Sequence, residues 1–553
     1  MVIVTRMLGR VVLLAGVSRS LTQLVDPATL VAQTKAEFML PGTWLGIIGG
    51  SDFVSVRISV RSAVNGLEGT LDFPNNSTAG SRQLRNIKST GPQVHFEWNE
   101  GDSLTVVDGR RQGNTIEGAF RRGPGGGSDS GSVFLRRGVT LAGAAAERFY
   151  GLYQVEPGHL VWMGPVSEMS RRFGFIDPHT GRTGVLYPTS VNSFVSGTTA
   201  FVPFPSDISA SFPFADSSSG GDVIWQQDTG RVIRAVRMDA YRTEAVAFRN
   251  DTVNLVGTLV MPKGPGRHPA VVFIHGSGGA TRAYFSSLPY LLANAGVAGL
   301  IYDKRGSGGS TGDRRAATME NLADDALAGV RLLASRPDID PRQIGVYGHS
   351  QGGWQAPLAA VRSAGAVAFV IMVSGPAKSF ELQTNDEVAN NMRAAGFSDA
   401  DVREALAHHK LYWQVVRNQA PWSALEESTR RVAQRPWGRF VWQRKTEAEV
   451  REGEVKKKDY DPGPVLAKLT VPTLAVYGEN DLSVNGAENA KILEKALEGA
   501  GNKDFEVRLF PDADHDIWFA TTKGNRGYRE VRGYREGYLE GVVGWVVKHV
   551  PIR

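Results

Sequence analysis

From about residue 241 onward, short apolar runs alternate with stretches patterned for amphipathic helices, which is how buried parallel strands and their crossover helices read. The runs are AVVFIHG (270–276), GVAGLIYD (296–303), QIGVYG (343–348), AVAFVIMVSG (366–375), PTLAVYGEND (472–481) and FEVRLFPDADHD (505–516). Among the intervening stretches, 319–333 follows Thr318 and carries Glu320 and Asp324 near its start, as a helix N-terminus prefers. The pattern predicts a doubly wound, mostly parallel sheet over 241–553. Residues 378–464 interrupt the rhythm: they are helical in pattern, mixed in charge and too long for a simple crossover, so a helical cap is expected there. Its Trp413, Trp422, Trp437 and Trp442 either line an acyl or alcohol pocket or form the cap's own core.

Upstream the grammar differs. Residues 41–140 hold short period-two runs, among them VSVRISV (54–60), QVHFEW (93–98) and SVFLRR (132–137), which predict a small antiparallel sandwich or barrel. The glycine-rich GPGGGSDSG (123–131) has no Lys-Ser/Thr ending and reads as a hairpin tip rather than a phosphate loop. After the small-residue joint LAGAAA (141–146), residues up to 240 continue in the same style and predict a second β-rich module, without a fixed-period repeat. Residues 1–40 read as a leader or possible signal segment. Arg6 and Arg10 ahead of the apolar run 11–17 have the order of a secretory signal, which favours export over the cytoplasm, although the run is short and lacks a clean small-x-small site.

Composition removes several classes of function. The +6 formal charge is the small surplus of 62 basic over 56 acidic residues, so no basic arm for nucleic acid is present. With no Cys, disulfides, thiolate metal sites and cysteine nucleophiles are excluded. No segment holds the roughly 18 uninterrupted apolar residues of a transmembrane anchor. Oligomeric state is left open.

The densest chemical signal is GVYGHSQGG (345–353). Where a buried strand turns at once into a helix, the residue at the turn is strained and bulky neighbours two positions away would collide, so Gly348 and Gly352 flank Ser350 for steric reasons. The turn lifts the Ser350 hydroxyl clear of the sheet and aims the Gln351 amide into the space before it. A serine hydroxyl needs a base, and the base needs an orienting carboxylate. Asp481, in GEND, and His515, in PDADH, follow at the ends of later strands, so both are expected at the same rim as Ser350. Glu479 competes with Asp481 but falls on the other face if the strand continues that far. His349 reads as a packing or turn residue and His275 as part of an oxyanion segment. The run DADHD resembles a calcium loop only superficially, because Ile517 and Lys523 stand where that loop needs Gly and Glu; no metal is expected. HGSGG (275–279) ends the third strand in small residues and should supply a second oxyanion donor, the Ser277 amide or, failing that, Gly276. YDKRGSGGSTG (302–312) lacks a Walker ending; Asp303 and Arg305 are expected there as a structural ion pair or as substrate-facing charges.

With HGSGG, DKRGSGGS, GHSQGG, GEND and DADH together, residues 241–553 resemble the α/β-hydrolase superfamily, and with the β modules in front the chain is similar to bacterial carboxylesterases and dipeptidyl-peptidase-like serine hydrolases. The resemblance implies acyl transfer to Ser350 followed by attack of water, with no cofactor. The β region is too short and unrepeated for a seven-bladed propeller, and no Glu-Glu pair for capturing a peptide amine stands out. The expected function is hydrolysis of a small-molecule acyl ester by Ser350, His515 and Asp481. Peptidase or acyltransferase chemistry on the same triad is the alternative, and a catalytically silent binding module is the reading from another class.

Overall fold

The computed structural model describes residues 40–550 apart from 50–52, 74–79, 124–128, 142, 167–171, 214, 216–219, 228–229, 445, 453, 458 and 523–530. The apolar run 11–17 and most of the expected glycine-rich tip lie outside the described residues.

The first β region is a nine-stranded antiparallel meander that curls until its first strand, Gly42–Gly49, pairs with its last, Asp129–Gly138. The other seam is bridged by a segment broken at Leu84: Arg82–Gln83 pairs with Gly66–Asp72, and Arg85–Thr90 pairs with Gln93–Glu100. Alternation along each strand turns one side chain in two inward, and Trp44, Ile58, Trp98, Val107, Phe120 and Leu135 fill the interior of this nearly closed barrel. The second β region repeats the plan. Its nine strands run from Gly151–Glu156 to Arg231–Arg237, these two pair, and the break falls at Leu186 between Thr183–Val185 and Tyr187–Pro188. This second barrel packs on the C-terminal domain through Trp162 stacked on Tyr290, Phe201 against Trp518 and a bridge from Arg182 to Gly533.

The C-terminal sheet has eight strands: β1 (Tyr241–Asn250), β2 (Val253–Pro262), β3 (His268–Ile274), β4 (Ala298–Tyr302), β5 (Ile339–His349), β6 (Val370–Val373), β7 (Thr473–Gly478) and β8 (Phe505–Phe510). Their spatial order is β1-β2-β4-β3-β5-β6-β7-β8, antiparallel at β1/β2 and β2/β4 and parallel elsewhere. The parallel strands β3, β4, β6 and β7 are buried on both faces, which is why they read as unbroken apolar runs. Strands β1 and β2 were not resolved by the pattern. Their inside-outside alternation continues the style of the barrels, and β1 is exposed at the sheet edge.

Helices α1 (Leu288–Asn294), α2 (Met319–Ala334) and α3 (Gly352–Arg362) follow β3, β4 and β5. Helix α2 starts at Thr318, whose hydroxyl accepts from the Asn321 amide while the Asn321 side chain reciprocates, a capping box. Between β6 and β7 stand α4 (Phe380–Ala394), α5 (Asp399–Val416) and α6 (Trp422–Val432), the expected helical insertion; α7 (Gly486–Gly499) and α8 (Tyr538–His549) complete the domain. Of the four tryptophans in the insertion, Trp413 and Trp437 are buried, and Trp422 and Trp442 pack against the core. Phe380 carries the packing from Trp413 to Trp354 on α3, so these three rings join the insertion to the sheet.

Candidate active site

Strand β5 runs straight into α3, and the residue at the junction, Ser350, has φ +54° in the left-handed region. Such a conformation persists only where its surroundings impose it. Here they do: a Cβ on Gly348 would lie 2.1 Å from the Gly352 carbonyl oxygen, and one on Gly352 would lie 2.4 Å from that of Ile274, so neither position accepts a side chain. The turn is pinned by the Ser350 amide donating to the Val373 carbonyl on β6 and by the Gly353 amide donating back to Ser350. Gln351 caps α3, which puts its amide at a helix N-terminus.

Two strands farther on, Asp481 lies in the turn that follows β7, its side chain fully buried. Oδ1 accepts from the amides of Ser483 (2.8 Å) and Val484 (2.9 Å), which leaves Oδ2 for His515 Nδ1 at 2.8 Å. Nδ1 therefore carries a proton and Nε2 is the nitrogen able to accept one. Burial opposes a charge on this ring, but the Asp481 charge and hydrogen bond, with smaller contributions from Asp516 and Glu387, raise the His515 pKa from 6.5 to about 9. Glu479 is exposed, its amide bonded to Phe510. Of the other acids of the DADHD run, Asp514 serves the turn, accepting from the amides of Asp516 and Trp518, while Asp516 Oδ1 lies 3.5 Å from His349 Nε2.

His515 is also held through its backbone. Its carbonyl accepts from Ser374 Oγ at 2.7 Å and from His349 Nε2 at 3.2 Å, so the His349 Nδ1 must accept from the Tyr284 hydroxyl at 2.5 Å. Burial lowers the His349 pKa and keeps this ring neutral. His349 was expected to be a packing residue; it packs, with its ring 5.2 Å from that of His515, and it also ties the His515 loop to the chain beside Ser350. Ser374 and Tyr284 carried no signal in the sequence. Ser374 follows β6 in IMVSG with φ +48°, and only its left-handed backbone after a strand sets it apart.

The loop after β3 runs against the elbow. Gly276 is buried, and a Cβ there would come within 3.2 Å of the Ser350 Cβ, whereas Ser277 is exposed at the rim. His275 is buried beneath them; burial and the nearby Lys304 charge push its pKa down to about 3, so it is neutral. Asp303 and Arg305 do not pair with each other. Asp303 binds Arg282 and accepts from the Gly309 amide, and Arg305 forms a two-point bond with buried Asp325 at 2.6 Å, so both are structural. Lys304 between them turns inward, and nothing in the pattern had singled it out.

Residues 266–521 match a family model described as serine aminopeptidase, S33. Esterase EstD of Thermotoga maritima is 27% identical over 285 residues, covering 49% of this chain and 60% of that protein. An uncharacterized 31.7 kDa protein from the traX-finO intergenic region of Escherichia coli is 24% identical over 280 residues, 47% of this chain and 88% of that protein. Among solved structures, Est1E from Butyrivibrio proteoclasticus aligns at 18% identity and TM-score 0.34 over 55% of this chain and 98% of its own. Alpha/beta hydrolase GrgF from Penicillium sp. aligns at 18% identity and TM-score 0.36 over 56% and 100%.

Proposed function

We propose that this chain, a member of the α/β-hydrolase superfamily, is a serine hydrolase that cleaves small carboxylic esters through Ser350, His515 and Asp481. The observation that carries the reading is the buried Asp481 bound at 2.8 Å to Nδ1 of His515, at the same sheet edge as a serine held in a left-handed elbow. In the proposed cycle, His515 Nε2 takes the Ser350 proton as Oγ attacks the ester carbonyl, and Asp481 stabilises the imidazolium. The amides of Gln351 and Ser277 receive the developing oxyanion. Collapse expels the alcohol, which leaves with the proton from His515. Water then loses a proton to His515 and attacks the acyl-enzyme, releasing the carboxylic acid and restoring Ser350.

Two variants test the reading. Ser350→Ala and His515→Ala should each lower kcat on p-nitrophenyl acetate by about five to six orders of magnitude, as expected of groups that act as a unit. Retention of most activity by either variant removes the assignment.

One observation favours a second reading, hydrolysis of an aminoacyl amide. Glu387 on α4 is exposed, accepts from Ser483 Oγ at 3.5 Å and adds to the field on His515, so a substrate ammonium would meet a carboxylate there. A kcat/KM on an aminoacyl p-nitroanilide equal to that on esters would replace the ester reading with this one.

A further inference from the structure

Three consecutive charged residues, Asp303, Lys304 and Arg305, follow β4, and all three are buried. The outer two are bound in ion pairs with Arg282 and Asp325. Lys304 reaches the loop after β3 and the elbow. Its Nζ donates to the Gly276 carbonyl at 2.7 Å and to Gln351 Oε1 at 3.0 Å, both neutral oxygens. Its backbone amide also donates to the Ala280 carbonyl, so main chain and side chain both tie it to the loop after β3. Gly276 precedes Ser277 in that loop, and Gln351 follows Ser350 in the elbow. One ammonium therefore spans the two chain segments that carry the two proposed oxyanion donors.

Two physical consequences follow. An oxyanion hole works only if its donors are fixed before charge develops, and the two segments here belong to different strand ends with no covalent link nearby. A cation bonded to both sets their separation. Its charge is also held against the Gly276–Ser277 peptide unit, whose other end is the Ser277 amide, and a buried charge acts with little screening by water. The bond from Nζ to the Gly276 carbonyl fixes the plane of that peptide and with it the direction of the Ser277 N–H.

Resting on the serine hydrolase reading above, we infer that Lys304 is a positioning residue that joins the two halves of the oxyanion hole and favours the charged transition state over the bound ester. The role is exerted through the amides of Ser277 and Gln351, without contact between Nζ and substrate.

The test compares wild type with Lys304→Met, a neutral side chain of similar length, and with Lys304→Arg. In folded Lys304→Met, kcat on p-nitrophenyl acetate should fall about a hundredfold, the lower end of what losing one oxyanion donor costs. KM should stay within about twofold, because uniform binding is untouched. The inhibition constant of phenylboronic acid, which forms a tetrahedral anionic adduct with an active serine, should rise in step with the loss of kcat. Lys304→Arg, which keeps the charge, should recover part of both. A merely structural lysine would lower thermal stability without this split. Wild-type kcat in the folded Met variant overturns the inference, as does a rise in KM at constant kcat. If Lys304→Met does not fold, Gln351→Leu removes one end of the bridge while keeping the backbone amide; unchanged kcat and boronate affinity there overturn the inference equally. A wild-type enzyme that binds no boronate at Ser350 refutes the underlying hydrolase reading, whereas boronate binding with an indifferent Lys304 variant refutes this inference alone.

Discussion

Asp481→Asn changes one atom type and separates charge from packing. In the folded protein Oδ1 of Asp481 is occupied by the amides of Ser483 and Val484, which only an oxygen can satisfy. The substituted Asn must therefore keep its oxygen there and present its NH2 group to His515 Nδ1. Nδ1 becomes an acceptor, the ring proton moves to Nε2, and the nitrogen that should take the serine proton already holds one. A wrong tautomer of this kind costs about four orders of magnitude in kcat, or about 5.5 kcal/mol. The charge effect is separable. The rise of His515 from 6.5 to about 9 is equivalent to about 3 kcal/mol of folding stability. A raised pKa means that this stability is fully present below pH 6.5 and is lost as pH climbs through about 9. In Asp481→Asn the main cause of the rise is gone. The stability gap between wild type and variant, read from urea transitions of the C-terminal domain, should thus narrow by about 3 kcal/mol between pH 6 and pH 9.5. Turnover of p-nitrophenyl acetate across the same pH range gives the kinetic half of the test. In the wild type kcat/KM should climb with pH and reach half its plateau near pH 9, where half of His515 is neutral. A folded variant within tenfold of wild-type kcat, or a stability gap that does not change with pH, would refute the reasoning.

Other perturbations probe the scaffold. Gly352→Ala places a methyl group 2.4 Å from one backbone oxygen and 2.9 Å from another, so the elbow must move; kcat should fall about a hundredfold or more while far-UV circular dichroism stays native. Asp325→Asn leaves the Arg305 guanidinium buried without its counter-charge and weakens the tie from Asn250 at the end of β1, and should cost about 3–5 kcal/mol by urea unfolding. Ser374→Ala removes the 2.7 Å bond to the His515 carbonyl but leaves that from His349, so kcat should drop by only a few-fold, with stability lowered by about 1 kcal/mol in thermal melts.

What was legible in the sequence follows from where each constraint acts. The strands β3, β4, β6 and β7 are buried on both faces, which forces near-continuous apolar runs that the sequence displays, whereas β8 at the sheet edge is only half-buried and carries Glu506 and Arg508. The glycines around Ser350 are required by contacts within the turn itself, so local sequence records them. The insertion between β6 and β7 was visible because it interrupts a regular alternation. The strands β1 and β2 were not visible as part of this sheet, since a half-exposed antiparallel strand alternates just as the barrel strands before it do. The shared plan of the two barrels was hidden for a different reason. It lies in the strand order and in one broken strand at Leu84 and at Leu186, while strand lengths and spacings differ, so no period survives. The partners of Asp303 and Arg305 could not be chosen because each is paired by tertiary packing with a residue about twenty positions away. Ser374, Tyr284 and Lys304 are ordinary residue types in unremarkable surroundings, and their part in holding the site arises only when separate strand ends meet.

The central claim, that Ser350 is the nucleophile made reactive by His515 and Asp481, is tested most directly by mass mapping of the protein after exposure to a fluorophosphonate. The account predicts a single stoichiometric adduct on the peptide containing Ser350, formed rapidly in the wild type and lost in His515→Ala. An unmodified Ser350 in folded protein, or an adduct on a different serine, would contradict it.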